Sequence, residues 1–225
     1  MNLKYFYWFF PKAFSPSFCN KIIELGKTRV ADEAVTGGME RDLKKDPLTK
    51  KEVAFKKKIR RSKVAWLTEP WLYKELAHFL NLANQNAGWN FQHDWFEDVQ
   101  FTYYGKGDHY DWHIDEWDQA YSHSEKNHVN LRGKIRKLSM TINLSDPNDY
   151  KGGDFMIGMP TSTNRSAFRK VEEVKPQGSV LVFPSFLWHK VAPVRKGKRY
   201  SLVVWTCGNE NDTLFWYTNL WHRYA

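Results

Sequence analysis

The sequence predicts a mainly β fold with helices at its N-terminal end, and two observations carry this prediction. Before Trp89, two segments repeat apolar residues at the 3.6-residue period of a helix. After Trp89, short apolar runs alternate with turns that contain Gly, Pro and Asn. Helices followed by many short strands favour a β sandwich or barrel with helices packed against it.

The two predicted helices have marked ends. The first begins at Ser15, a candidate N-cap that Pro16 follows, and is predicted to end at Gly26. The second is predicted over residues 70–84, where apolar side chains recur every three or four positions. The aromatic run 5–10 is interpreted as a strand, because it is too short for the apolar stretch of a signal peptide.

Each strand predicted after Trp89 is bounded by turn residues. These strands cover residues 98–104, 137–144, 154–159, 168–174, 179–183, 188–194 and 199–207. The polar stretch 116–130 predicts a loop with the length of a lid. We expect one domain over 1–225, divided into N-terminal support, β core and C-terminal tail at 1–97, 98–208 and 209–225.

The composition narrows the class of protein. Two cysteines, Cys19 and Cys207, build neither a disulfide framework nor a Cys-rich zinc site, so we expect a reducing, cytoplasmic setting. No segment approaches the roughly 20 apolar residues of a membrane span.

The net charge is +9, and Lys and Arg concentrate in segment 41–63. This segment is either a solvated exposed stretch or a docking surface for an acidic peptide or a nucleic acid; Phe55 alone offers an aromatic ring for stacking.

The residues that carry chemistry lie in YYGKGDHYDWHIDEW and in LWHKVAPVRKGKRYSLVVW. His113 and Asp115 are two positions apart, which puts both side chains on one face of a strand. His189 follows 76 positions after His113, in an apolar strand, and Arg199 follows ten positions later. Two histidines and one carboxylate form the facial triad that holds Fe(II) in non-haem oxygenases.

A rival pair, His109 and Asp111, precedes His113 and Asp115 with the same spacing. Gly105 and its neighbouring turn lie close to His109, where ligand geometry would be loose, so the later pair is favoured. A zinc hydrolase can also use two histidines and an aspartate. That alternative leaves Arg199 without a role.

Arg199 begins the apolar strand RYSLVVW, so its guanidinium is expected to be partly desolvated. A buried charge without a partner is costly, which indicates an anion beside it. Arginine offers a planar fork that binds a carboxylate through two hydrogen bonds. The alternative is a structural salt bridge.

Residues 99–199 resemble the 2-oxoglutarate- and Fe(II)-dependent dioxygenases, and most of all their prolyl 4-hydroxylase-like branch with the PKHD-type hydroxylases. Four motifs in order carry the resemblance: the Tyr103 to Asp115 segment, RKLSMTINLSDPNDYKGGDF, PQGSVLVFPSFLWHKV, and Arg199 with Trp205. The helix-led start FSPSFCNKIIELG is similar as well. The resemblance implies a double-stranded β-helix, or jelly roll, with the metal in its mouth.

The resemblance also implies roles for single residues. His113, Asp115 and His189 would hold Fe(II), and Arg199 and Tyr103 would bind 2-oxoglutarate. O2 would be the second cosubstrate, with ascorbate as a candidate reductant. Asn143 and Ser139 would line the cosubstrate pocket. The substrate site would be lined by Trp205, Tyr110, Trp112 and Trp117. Core packing is an alternative role for the tryptophans.

The substrate implied by the branch is a peptidyl residue, with proline as the leading candidate and a protein or peptide as the partner. A nucleic-acid dealkylase is an alternative that the basic charge favours, but the second arginine of that group would stand where this chain has Trp205. A hydroxylase of small molecules such as free amino acids, and a non-catalytic jelly-roll module, are further alternatives.

Overall fold

The computed structural model describes residues 5–29, 32–33, 49–116, 119–124, 128–158 and 168–209. The predictions for Trp117, for Met159 at the end of a strand, for residues 41–48 and for most of the tail lie outside these ranges. The division into support, core and tail stays a prediction.

The described residues contain three helices, α1 (Pro16–Arg29), α2 (Lys50–Ile59) and α3 (Pro70–Asn86). They also contain fifteen strands, in chain order β1 (Trp8–Phe10), β2 (Asp32–Glu33), β3 (Arg60–Arg61), β4 (Lys63–Leu67), β5 (Trp95–Phe96), β6 (Val99–Tyr104), β7 (His109–His113), β8 (Lys134–Asn143), β9 (Tyr150–Gly152), β10 (Phe155–Gly158), β11 (Phe168–Lys170), β12 (Val180–Pro184), β13 (Trp188–Val191), β14 (Val194–Gly197) and β15 (Arg199–Asn209). The predicted mainly β fold with N-terminal helices is confirmed.

Two antiparallel sheets form the body of the fold. The larger has eight strands in the order β1-β12-β8-β15-β6-β4-β2, with β5 on β15, and the smaller has the order β11-β10-β13-β7-β3. Strands β9 and β14 form a separate pair. The inner faces meet where Phe183 of the large sheet contacts Phe155 and His189 of the small sheet, with ring centroids 5.7 and 4.7 Å apart.

The large sheet has one apolar face and one polar face, because successive side chains of a strand point to opposite sides. On β6, Val99, Phe101 and Tyr103 share one face, and Gln100 and Thr102 share the other. The first face packs against α1, since a methyl group added to the buried Gly26 would overlap the ring of Phe101. The polar face is therefore the one directed into the space between the sheets.

Several element boundaries differ from the sequence predictions. Helix α1 continues to Arg29, three residues past Gly26, because this glycine provides close packing rather than a C-cap. The predicted strand 188–194 is divided into β13 and β14, and the predicted strand 168–174 ends early in a 3-10 turn at Glu172–Val174. The sequence prediction missed α2, although Thr49 and Glu52 form a capping box that marks its start.

Helix α2 covers much of the described part of the basic segment and has no buried residue. Its phenylalanine, Phe55, is 64% exposed. No helix within the described ranges combines the length and the apolar character that a membrane crossing needs.

Replacing Gly26 by alanine is expected to change the free energy of unfolding in the direction opposite to that of an ordinary helix glycine. Replacing an ordinary helix glycine by alanine stabilises a helix by up to about 1 kcal/mol. At Gly26 the added methyl would press on Phe101, so we expect Gly26→Ala to destabilise the protein by about 1–3 kcal/mol. Thermal unfolding followed by circular dichroism should show a Tm lower by roughly 2–10 °C. The exposed Thr28→Ala on the same helix should leave Tm nearly unchanged, and a higher Tm for Gly26→Ala would contradict the packing argument.

Candidate metal and cosubstrate site

Strand pairing brings together the two histidines that lie 76 positions apart. Strands β7 and β13 run antiparallel, and His113 lies directly opposite His189. Asp115 follows β7, and its backbone N–H donates to the carbonyl of Ser185 over 2.9 Å. The turn before β13 thus fixes the backbone of the residue that supplies the carboxylate.

The three side chains form a compact cluster. Their candidate ligand atoms all lie within 4.8 Å of one another. Nε2 of His189 is 3.3 Å from the Asp115 carboxylate, and Nε2 of His113 is 3.8 Å from it. All three side chains are at most 13% exposed. Two imidazoles and one carboxylate at this spacing match the donor set of a facial triad.

Hydrogen bonds select the tautomer of both histidines. Nδ1 of His113 lies 2.7 Å from the carbonyl of Asp111, and Nδ1 of His189 lies 2.9 Å from the carbonyl of Leu187. A carbonyl oxygen only accepts, so each Nδ1 carries the proton and donates it. In the neutral imidazole the lone pair then lies on Nε2, and both Nε2 atoms are directed toward the carboxylate, as a metal site requires.

The electrostatics keep the cluster in its metal-binding form. Burial and the neighbouring His189 lower the pKa of His113 to about 3, so its imidazole is neutral. Burial alone raises the pKa of Asp115, but His189, His113 and Arg136 lower it more strongly and leave it well below its usual range. The site therefore offers a charged carboxylate and at least one neutral imidazole near pH 7.

The rival pair lies outside this cluster. A β-bulge in β7 inserts one extra residue between the positions opposite His189 and Val191. His109 contacts the backbone carbonyls of Lys58 and Gly107, and Asp111 is exposed. The two His-x-Asp pairs therefore do not project to the same side, because the bulge changes the alternation.

Arg199 is 2% exposed, and its Nη1 atom is buried without a hydrogen-bond partner. Gly153 makes room for it, since a Cβ at this position would lie 2.9 Å from Arg199 Cδ and its φ is +62°. A small pocket borders Arg199 and also Phe155, whose ring lies 5.6 Å from the His189 ring. A buried guanidinium that has an unpaired N–H beside a pocket is suited to bind a carboxylate.

Tyr103 does not face Arg199, so its predicted role is wrong. Its ring contacts Tyr200, 5.5 Å away, on the face of the sheet that carries α1. The next residue, Tyr104, lies opposite Arg199 in the register, and the Arg199 guanidinium is 5.4 Å from its ring. Burial raises the pKa of Tyr104, so its phenol stays protonated and can donate to a carboxylate.

The two residues predicted to line the cosubstrate pocket lie on the polar face of β8. Asn143 donates through Nδ2 to the carbonyls of Ser145 and Lys175, and its buried Oδ1 is without a partner. That free atom is an acceptor, which does not suit a carboxylate ligand. Ser139 is fully buried, and its hydroxyl lies 2.9 Å from that of Ser185, whose carbonyl holds the backbone of Asp115.

Trp205 forms part of a wall beside the triad. The Arg136 guanidinium lies 3.9 Å from its ring, and Arg136 also donates to the carbonyl of Asp115. Glu97 accepts two hydrogen bonds from Arg136, at 2.6 and 2.5 Å, and so neutralises this buried charge. The partly exposed Trp66 lies 6.3 Å from Trp205 and extends the aromatic surface to solvent.

The remaining predicted wall residues have different surroundings. Tyr110 stacks on His113 with ring centroids 3.4 Å apart, which puts it beside the triad. Trp112 was predicted to line the site, but it packs on Phe168 and under Lys190, on the opposite side of the small sheet. Ordinary strand alternation explains this difference, since adjacent residues point to opposite faces of a sheet and Trp112 directly precedes His113.

Sequence reasoning missed Tyr104, Arg60 and the pair of Glu97 and Arg136. The alternation of side chains between the two faces of strand 99–104 was a usable signal. It puts Tyr103 on the apolar face and Tyr104 on the opposite face. No comparable signal marked Arg60, which lies in a stretch of many basic residues.

Comparison with known proteins agrees with this geometry. Residues 99–207 match the model of the 2OG-Fe(II) oxygenase superfamily. A PKHD-type hydroxylase of Hyphomonas neptunium is 37% identical over 105 residues, which cover 45% of this chain and 38% of that protein. The PKHD-type hydroxylase PiuC of Pseudomonas aeruginosa is 31% identical over 107 residues, which cover 47% of this chain and 41% of PiuC. The chain thus spans about two fifths of the length of these relatives.

Solved structures share the fold over most of the chain. The viral collagen prolyl hydroxylase of Paramecium bursaria Chlorella virus-1 has a TM-score of 0.56 at 19% identity and covers 91% of this chain and 97% of its own. A Trichoplax adhaerens prolyl hydroxylase, solved with a peptide fragment of hypoxia inducible factor, has a TM-score of 0.57 at 15% identity and covers 95% and 88%. The predicted double-stranded β-helix is confirmed by this likeness.

The family match contains all three residues of the triad as well as Arg199. Residues 99–207 of this chain therefore match the 2OG-Fe(II) oxygenase superfamily, whose members use Fe(II), 2-oxoglutarate and O2, and the relatives similar to this region are PKHD-type hydroxylases.

Proposed function

We propose that this chain hydroxylates a C–H bond of a peptidyl residue, with proline as the substrate residue, and that it releases succinate and CO2. The observation that carries the proposal is the cluster of His113, Asp115 and His189, in which both Nε2 atoms lie beside one carboxylate. Bound Fe(II) would supply O2 activation coupled to the oxidation of 2-oxoglutarate. One oxygen atom of O2 would enter the substrate, and the other would enter succinate.

The protein's own part is to hold the metal and to orient the cosubstrate. Arg199 would bind the distal carboxylate of 2-oxoglutarate through its unpaired Nη1, and Tyr104 would donate a hydrogen bond to the same carboxylate. Burial of both groups removes competing water, which strengthens these contacts. Arg199 and Tyr104 thus provide a charged and a neutral donor for one carboxylate at this end of the pocket.

The substrate surface is proposed to be the aromatic wall of Trp205 and Trp66. Trp66 is 46% exposed, which is high for an indole, and its ring lies next to that of the buried Trp205. The two rings form an aromatic surface that begins at the solvent. Flat aromatic rings provide an apolar surface for a proline ring. The peptide in the Trichoplax structure supports a peptidyl partner. Both cysteines of the chain are buried and free, which agrees with the proposed cytoplasmic setting.

Removal of a triad histidine tests the metal site. We expect His113→Ala to weaken Fe(II) binding by more than about 100-fold, because one of three ligands is lost. His109→Ala is the matched control and should bind Fe(II) like the wild type. The measurement is an anaerobic titration with Fe(II) and then 2-oxoglutarate, followed by the visible charge-transfer band. Loss of the band in His109→Ala, or its retention in His113→Ala, would refute the assignment.

Adjacent tyrosines provide a test of the cosubstrate pocket. Tyr104→Phe removes a hydroxyl that faces Arg199, and we expect a Kd for 2-oxoglutarate about 5- to 10-fold higher. Tyr103→Phe removes a hydroxyl on the opposite face of the sheet and should leave this Kd unchanged. Isothermal titration calorimetry of the Mn(II)-loaded variants gives both values. An effect of Tyr103→Phe alone would favour the role that the family resemblance implied.

The hydroxylation itself is tested with a pool of synthetic proline-containing peptides and a matched pool in which alanine replaces proline. Incubation with Fe(II), 2-oxoglutarate and O2 should add about 16 Da to members of the first pool only. With ¹⁸O2 the added mass should rise by about 2 Da, because the oxygen comes from O2. His189→Ala is the inactive control. Oxidation of neither pool, while 2-oxoglutarate is still consumed, would contradict a prolyl substrate.

A further inference from the structure

A second buried arginine lies beside the metal site. Arg60 belongs to the short strand β3, which pairs with β7 so that Arg60 lies opposite Tyr110. The residue is 7% exposed. It lies outside the region 99–207 that matches the superfamily.

The guanidinium of Arg60 is only partly satisfied. Nε donates to the hydroxyl of Ser62 over 3.0 Å, whereas Nη2 is buried without a hydrogen-bond partner. Among the described residues no carboxylate pairs with Arg60. The adjacent Arg61 differs in this respect, because it is largely exposed and pairs with Asp108 at 2.9 Å. Burial of a charged group without a counter-charge is costly and indicates that a ligand anion completes the site.

The position of Arg60 shows where that anion would lie. The guanidinium is 4.5 Å from the ring of Tyr110, and this ring stacks on the ring of His113. Arg60 and Arg199 both act on the phenol of Tyr104, where each opposes the rise in pKa that burial causes. Arg60 is therefore linked to the triad through the ring of Tyr110, whereas Arg199 borders the pocket next to Gly153.

We propose that Arg60 binds a carboxylate directly beside the metal site, as a counterpart to Arg199. The inference rests on the proposed function, because it assumes that 2-oxoglutarate binds at the triad. The carboxylate has two sources of the same chemistry: the 1-carboxylate of the cosubstrate, or an acidic side chain of the substrate peptide. Arginine suits either source, since its planar fork forms two parallel hydrogen bonds with a carboxylate.

The first arm of the test uses the full-length, Mn(II)-loaded protein and N-oxalylglycine, a non-reacting analogue of the cosubstrate. Calorimetry is expected to show a Kd about 10- to 100-fold higher for Arg60→Met than for the wild type. Arg61→Met, which removes the same charge one residue away, should stay within about twofold. This result assigns the carboxylate to the cosubstrate. Mn(II) affinity must match the wild type and Tm must not fall, because a loss of either would show a structural role and overturn the proposal.

The second arm applies if N-oxalylglycine binds Arg60→Met normally. With this analogue saturating, binding is measured for a proline-containing peptide with a neighbouring Asp and for the same peptide with Asn. Weaker binding of the Asp peptide alone to Arg60→Met assigns the carboxylate to the substrate. Unchanged binding of all three probes overturns the proposal. If Arg60→Met does not fold, Arg60→Lys, which keeps the charge and loses the fork, is judged by the same values.

Failure of this proposal can be told apart from failure of the proposed function. Arg199→Met is included in the first arm and should weaken N-oxalylglycine binding whatever Arg60 does. If the wild type binds the analogue and Arg199→Met does not, the cosubstrate site stands and only the role of Arg60 is in question. If the wild type binds neither Mn(II) nor the analogue, both proposals are refuted.

Discussion

The antiparallel pairing of β7 with β13 is the constraint on which the rest of the site depends. It puts His113 opposite His189, and the turn before β13 binds the backbone of Asp115 through the Ser185 carbonyl. Because the strands fix the Cα positions and carbonyls fix both Nδ1 atoms, the side chains have little freedom left. Three ligands are thus held close together before any metal binds, and this lowers the entropy cost of binding it.

A second constraint is the alternation of side chains in the large sheet. One face packs on the helices and is apolar, and the other carries Arg199, Tyr104 and Asn143 into the space between the sheets. Such a polar face is costly unless its groups find partners. Unpaired buried atoms remain on Arg199, Arg60 and Trp205, all near the triad. Each of these three side chains offers an N–H donor to a ligand, whereas the other unpaired buried side-chain atoms of the described residues are oxygens, on Glu69, Asn143, Glu173 and Thr206.

The fold class was predicted from the sequence alone. So were four site residues that lie in one region of the structure, namely His113, Asp115, His189 and Arg199. These residues could be found because metal ligation and carboxylate binding need particular residue types at particular spacings. The errors have local physical causes. The Tyr103 and Trp112 assignments both ignored strand alternation, which puts Tyr103 on the face opposite to Tyr104 and Trp112 on the face opposite to His113. Arg60 could not be predicted, since only the pairing of β3 with β7 distinguishes it from its many basic neighbours.

The three buried arginines of the site differ in whether a carboxylate of the protein pairs with their charge. Arg136 is buried, yet Glu97 satisfies it through two short hydrogen bonds, so it needs no ligand and can support Trp205 and the Asp115 backbone. Arg199 and Arg60 are buried to a similar degree, and each keeps a nitrogen without a partner. Because an uncompensated buried charge is strongly destabilising, a fold retains it only where binding returns the lost energy. The two carboxylates of 2-oxoglutarate, or one of these together with an acidic substrate group, are the anions that this arrangement can accept.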